Sequence, residues 1–151
     1  MQNLDRLQKI CLGIAGIGLA DSLYLTWIKL THTEAACIKG VGDCFTVNTS
    51  KFAEWNGIPI ALLGFAAYLS IIILLLAETR VEWIRSISVY ALFGISFIGV
   101  LYSAYLTYLE IAVLKAICPY CLLSAIAILS VFIIAVARLV KDQSMKDNEE
   151  E

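Results

Sequence analysis

The 151-residue sequence contains one histidine, His32, and only two prolines, Pro59 and Pro119. A single histidine leaves a zinc site with little but thiols. Structural zinc takes four ligands, so such a site would have to recruit Cys37 and Cys44 together with Cys118 and Cys121. Covalent haem attachment needs a histidine directly after a C-x-x-C pair, and residue 122 is leucine. Charge is thin as well. Asp, Glu, Lys and Arg make up 16% of the residues and leave a formal net charge of −2, so nothing in the balance suggests nucleic-acid binding.

Apolar surface stands where charge is missing. The sequence is 60% hydrophobic with a mean hydropathy of +0.83, too apolar for an ordinary soluble domain. Runs of about 20 apolar residues recur, the length that crosses a bilayer. They predict four spans, over residues 10–30, 58–77, 86–109 and 119–140. The length favours one domain: a membrane region over residues 1–140, then a polar tail over 141–151 expected to be disordered. The first run lacks a clear small-residue cleavage site, so it is expected to be retained. Asp21 lies inside it. An intramembrane carboxylate costs about 2.5–3.5 kcal/mol on insertion scales and should face the bundle interior or water. It would either tune a buried site or bond a neighbouring Ser or Tyr, the second being the simpler expectation.

Five cysteines stand at positions 11, 37, 44, 118 and 121. Cys11 falls within the first span, where small thiols commonly pack. Cys118-Pro119-Tyr120-Cys121 marks the start of the last span. Pro119 suits the first helical position, where its missing N–H costs nothing. Cys118 then lies near the N-cap and Cys121 in the first turn, sharing one face. Helix dipole and free N–H groups favour a thiolate there, and such sites lower a thiol from ~8.5 to roughly 3.5–7.5. A redox pair fits this pattern; a zinc half-site and a structural disulfide are the alternatives.

Residues 31–57 form the longest polar interval. Gly40 and Gly42 lie between Cys37 and Cys44 and let the loop turn sharply enough to close a disulfide. Thr49 or Ser50 is placed to N-cap a short helix that Asn56-Gly57 would end. Phe52 and Trp55 would then share one face, suited to a lid in the membrane interface or to anchoring the loop alone.

Orientation follows from Lys and Arg. Arg6, Lys9, Arg80, Arg85, Arg138, Lys141 and Lys146 fall on one side, and Lys29, Lys39, Lys51 and Lys115 on the other. This bias places both termini in the cytoplasm of a cell membrane and both cysteine pairs outside, where disulfides persist. Four spans put the two pairs on one face whichever way the chain is inserted. An internal repeat accompanies this: a shift of 81 residues aligns Ile17-Gly18 with Ile98-Gly99, Tyr24-Leu25-Thr26 with Tyr105-Leu106-Thr107, and Cys37 with Cys118. It would be a parallel repeat; chance similarity among apolar helices is the alternative.

A thiolate attacks a disulfide through a mixed disulfide, so a loop pair and a fixed membrane-edge pair make a relay. Electrons enter from a reduced partner outside and leave to an acceptor reached from lipid. That acceptor should be apolar and take two electrons. A quinone satisfies both.

The sequence resembles the vitamin K epoxide reductase family in its bacterial and archaeal form, over about residues 10–138. The resemblance rests on Cys37 and Cys44 in the loop, V-N-T-S at 47–50, G-I-P at 57–59, Gly64 and Tyr68, and C-P-Y-C at 118–121. It implies an all-α membrane protein: a four-transmembrane-helix bundle around a quinone, capped by an extracytoplasmic loop with a short helix. It further implies that Cys37 exchanges with a thioredoxin-fold protein, that Cys44 passes electrons inward through a transient disulfide with Cys118, and that Cys121 donates to the quinone. Ser50 matches the loop position that supports these cysteines. Phe52, Trp55 and Pro59 are the candidate quinone contacts beside Cys121. The quinone would be menaquinone, ubiquinone or phylloquinone.

Two positions depart from the animal enzymes. An Asn in the capping region and a Tyr one turn after the last Cys contact the vitamin K head group there; here those positions fall near Ile60 and at Ala125. This favours plain quinone reduction over epoxide reduction. Some relatives carry a fused thioredoxin-like domain, which this sequence does not, so a separate partner is expected. The implied function is a membrane thiol oxidase supporting disulfide formation. A quinone or epoxide reductase whose quinol is the product, and a non-enzymatic membrane protein with structural disulfides, are its rivals.

Overall fold

The computed structural model describes residues 6–31 and 43–147. In chain order the elements are α1 (Arg6–Thr31), α2 (Cys44–Thr49), a 3-10 turn (Lys51–Ala53), β1 (Glu54–Trp55), β2 (Ile58–Pro59), α3 (Ile60–Ala77), α4 (Glu82–Leu109), a π-helical turn (Glu110–Leu114) and α5 (Pro119–Asp147). The four long helices are each apolar and long enough to cross a membrane. An α-helix satisfies its backbone internally, which is why long apolar runs take this form in lipid.

α1 packs against α3 and α5, and α4 packs against α5 and α3. The core holds Cys11, Ala15, Tyr68, Ile71, Leu75 and Val131. Cys11 is fully buried there, as the packing expectation has it. Ile17, Leu23, Ile73, Ile98, Ile126 and Ile133 face outward. Lipid is as apolar as leucine, so close packing rather than water exclusion holds such helices together. Gly18 makes the α1–α3 approach possible. A Cβ there would lie 2.3 Å from Cζ of Tyr68. The Tyr68 hydroxyl continues to α5, donating to the Ser124 carbonyl at 2.8 Å. At Gly99 a Cβ would meet Ile128 Cγ1 at 2.8 Å. The two glycines that the internal repeat aligns thus both sit at helix contacts.

One end of the bundle is tied by buried polar groups. Arg138 Nη2 donates to Glu78 Oε2 at 2.6 Å. Gln8 Nε2 donates to the same oxygen at 3.2 Å and to the Leu75 carbonyl at 2.7 Å. This cluster joins α1, the end of α3 and α5. It lies opposite the end that carries Cys118.

At the cysteine end, residues 43–59 form a cover. α2 begins at Asp43, whose carboxylate accepts from the Thr46 amide at 3.0 Å and from its hydroxyl at 2.5 Å. These bonds hold the Asp43 carboxyl below the usual carboxylate range. Glu54–Trp55 and Ile58–Pro59 pair as a minimal antiparallel hairpin. Asn56 (φ 53°) and Gly57 (φ 83°) supply its turn, the Asn-Gly chemistry such hairpins demand. Lys29 of α1 fastens the cover, reaching the Asn48 carbonyl at 2.5 Å and Glu54 Oε1 at 3.0 Å.

Three expectations need correcting. The short helix lies before Ser50, because Asp43 caps it; Asn56-Gly57 closes a hairpin instead of a helix. Phe52 is in the 3-10 turn and Trp55 in β1, so they share no helical face. Residues 141–147, expected as disordered tail, continue α5.

Candidate functional site

The C-P-Y-C motif begins α5 with Pro119 as its first residue. Cys118 is therefore at the helix start and fully buried, and Cys121 is half-buried one turn on. The Cys121 amide points at Cys118 Sγ, 3.4 Å away. Both cysteines carry free thiols, as does Cys11. Cys44 is disulfide-bonded; Cys37 lies outside the described residues.

The cover brings a second cysteine to this turn. The Asp43 amide donates to the Ile117 carbonyl at 3.1 Å, laying the start of α2 along the segment that enters α5. Cys44, Val47 and Cys118 then form one buried cluster, flanked by Leu114, Ala116, Tyr120 and Cys121. Cys44 and Cys118 are each 0% exposed. Two sulfurs from segments far apart in sequence are packed together and shielded from water.

The sequence reading missed Glu110. It opens the π-helical turn at the end of α4 and is 5% exposed. Its Oε2 accepts from the Cys118 amide at 3.1 Å, and its carboxylate shares the single Cys121 thiol proton with Cys118 Sγ. Its backbone carbonyl accepts from the Ala116 amide at 3.1 Å. Lys115, in the left-handed conformation at φ 49° and ψ 32°, makes that reversal. Wide π turns are rare and concentrate at functional sites. An acid placed in an apolar stretch just ahead of C-x-x-C was the available signal.

Electrostatics favour a thiolate on Cys118. The Cys121 thiol donates to it and holds it below the ordinary thiol value; burial opposes this, and the Glu110 charge also opposes it.

Ser50 bonds within the cover: its hydroxyl donates to the Val47 carbonyl at 2.8 Å, closing the end of α2. Phe52 is 36% and Trp55 68% exposed. Pro59 stands at the N-cap position of α3. Asp21 differs from expectation. It is 6% exposed, and neither carboxylate oxygen has a hydrogen-bond partner among the described residues, so no Ser or Tyr satisfies it. It lies within electrostatic reach of Tyr68 and Tyr120. Tyr24, one turn on, packs its ring on Tyr120 at 5.2 Å between centroids. A buried polar group of this kind suits a mainly apolar ligand with a polar head. No group of three or more His, Cys, Asp or Glu among the described residues is arranged to hold a metal.

The profile of the vitamin K epoxide reductase family matches residues 9–136. Thiol-disulfide oxidoreductase LTO1 of Arabidopsis thaliana is 36% identical over 124 residues, covering 78% of this chain. That alignment takes in 33% of the Arabidopsis protein, so the chain spans about a third of its relative's length.

Proposed function

The chain belongs to the vitamin K epoxide reductase family, and from that premise we propose that it is a membrane thiol oxidoreductase moving electrons from thiols to a quinone. The burial of Cys44 and Cys118 in one cluster carries this reading. It supports the thiol–disulfide relay, since exchange needs the attacking sulfur against the attacked one. The similarity to a thiol-disulfide oxidoreductase points the same way.

A thioredoxin-fold donor first reduces the Cys37–Cys44 disulfide: one donor thiolate attacks Cys37 and releases Cys44 as thiolate, and the donor's second thiol then frees Cys37 and closes the donor's own disulfide. Cys44 attacks Cys118 of an oxidised Cys118–Cys121 pair, forming a mixed disulfide and freeing Cys121. Cys37 then attacks Cys44, which leaves Cys118 and Cys121 reduced and restores the loop disulfide. A bound quinone would supply a sink for two electrons. Asp21, with Tyr68 and Tyr120 around it, would meet its polar head, and Cys121 would face it from the start of α5. The cysteine pairs lie outside the cytoplasm and both termini inside, so the product is disulfide bonds in exported proteins.

The test is quinone reduction by the purified protein in detergent, followed by absorbance. A reduced thioredoxin-fold protein and dithiothreitol serve as alternative donors. Cys121→Ser is expected to be inactive with both donors, and Cys37→Ser to fail chiefly with the protein donor. Wild-type protein without cysteine-dependent turnover on any quinone would overturn the reading in favour of structural disulfides. Turnover of an epoxide would move it towards a vitamin K reductase.

A further inference from the structure

The relay described above gives no role to the buried carboxylate at the end of α4. Glu110 is held by the π turn and by the Lys115 reversal so that one oxygen takes the Cys118 amide at 3.1 Å. The same carboxylate shares the Cys121 thiol proton with Cys118 Sγ. Three titratable groups therefore share one small buried space: two sulfurs and a carboxylate. Two further titratable groups pack there: Cys44, which is disulfide-bonded, and the phenol Tyr120, which the variants below leave in place. A buried carboxylate persists as an anion only while donors surround it. Closing the Cys118–Cys121 disulfide removes the thiol donor and leaves the amide alone.

We propose that Glu110 is the proton acceptor of the Cys118–Cys121 pair, binding the Cys121 proton whenever the pair is oxidised and returning it when the pair is reduced. On oxidation the Cys118 thiolate and the Cys121 sulfur form an S–S bond, and the Cys121 S–H bond breaks. The proton moves to Glu110. The electron pair passes to an acceptor of the quinone class, whose two protons are drawn from water. On re-reduction, Cys44 thiolate attacks Cys118, the S–S bond breaks, and the departing Cys121 sulfur takes the proton back from Glu110 as it leaves, ending as a thiol. Electrons and protons balance in both directions, and Cys121 never has to leave as an unprotonated anion in a buried apolar site. The oxidation half of this inference rests on the proposed quinone chemistry; the proton count does not.

Glu110→Gln is the discriminating variant. Glutamine can still accept from the Cys118 amide but cannot take a proton. The protein would be equilibrated with dithiothreitol buffers between pH 6 and 8, then alkylated. The mass of the peptide carrying Cys118 and Cys121 reports the oxidised fraction without any quinone present. If Glu110 binds a proton only in the oxidised state, wild type releases one more proton on reduction than the variant. Its equilibrium constant should then change about tenfold more per pH unit, since a tenfold change in equilibrium accompanies each pH unit per proton. Equal slopes would overturn the proposal. Glu110→Asp keeps a carboxylate and should restore the wild-type slope; a slope matching Glu110→Gln would count against the assignment. Should Glu110→Gln fail to fold, infrared difference spectra of wild type decide the matter. A carboxylic-acid carbonyl band must appear on oxidation, shifted in Glu110→Asp, and its absence overturns the proposal. With quinone as acceptor, Glu110→Gln should slow turnover by on the order of a hundredfold, within the usual range for loss of a proton acceptor. If wild type reduces no quinone, the proposed function fails, while the slope comparison still tests Glu110.

Discussion

Cys118 receives two hydrogen bonds from Cys121, one from its amide at 3.4 Å and one from its thiol, and both favour the thiolate. Cys121→Ala removes the thiol donor, which is the largest cause of the lowered Cys118 value. The Cys118 titration should therefore move up, leaving less thiolate at any pH below its midpoint. Alkylation of Cys118 by a small reagent, followed against pH by tandem mass spectrometry, is expected to show this higher midpoint. A midpoint unmoved or lowered in Cys121→Ala would contradict the assignment of that bond. At this scale the sequence was informative about sulfur and silent about its surroundings. The placement of C-P-Y-C at a helix start depends on four adjacent residues and could be read directly. The Glu110 carboxylate reaches the pair across a connection whose π turn and left-handed Lys115 have no sequence signature. Asp21 was legible as buried, but its lack of a protein partner depends on three other helices.

The helices follow from apolar length alone, and so all four spans could be placed from sequence. Their contacts follow from single residues. Tyr68 lies so close to Gly18 that an added methyl would collide with its ring. Gly18→Ala should cost about 1–3 kcal/mol, the usual range for overpacking a well-filled contact. A methyl added at Gly16 would meet nothing within 4 Å, so Gly16→Ala should be neutral or stabilising by less than about 1 kcal/mol, given the better helix propensity of alanine. Thermal unfolding in detergent compares the two, and equal midpoints would refute the contact argument. The cover was less legible than the spans. Asp43, Thr49 and Ser50 are all good N-cap residues, and local sequence does not rank them. The hydrogen bond from the Asp43 amide to Ile117 does, and it joins residues far apart in the chain.

Across the whole molecule, the two ends of the bundle differ in kind. One end is closed by Glu78, Arg138 and Gln8, all more than nine-tenths buried. The other holds sulfurs under a cover fastened by Lys29. Removing one partner of a buried ion pair strands the other charge, at a cost of about 3–5 kcal/mol. Glu78→Leu should destabilise by that order, and adding Arg138→Met should recover most of the loss. A double variant no more stable than Glu78→Leu would mean that the stranded arginine is not the cause. Relay activity offers a second comparison, since this pair closes the end of the bundle opposite Cys44, Cys118 and Cys121. The four-helix architecture and the meeting of both cysteine segments at one end were legible from span count. The ion pair was not, because Glu78 and Arg138 each sit at the edge of an apolar run and read as ordinary flanking charge.

The stretch from Glu110 to Cys118 works as a ruler. Its first residue grips both ends of the reversal, by its carbonyl at Ala116 and by its carboxylate at Cys118. Between them Ile111, Val113 and Ile117 are 60%, 51% and 49% exposed and pack against little of the protein. Drift among apolar types is therefore cheap at these three positions, while the gain or loss of a single residue would turn the carboxylate away from both sulfurs at once. What descent must preserve here is a count, and related sequences can differ widely in lettering while agreeing on that interval.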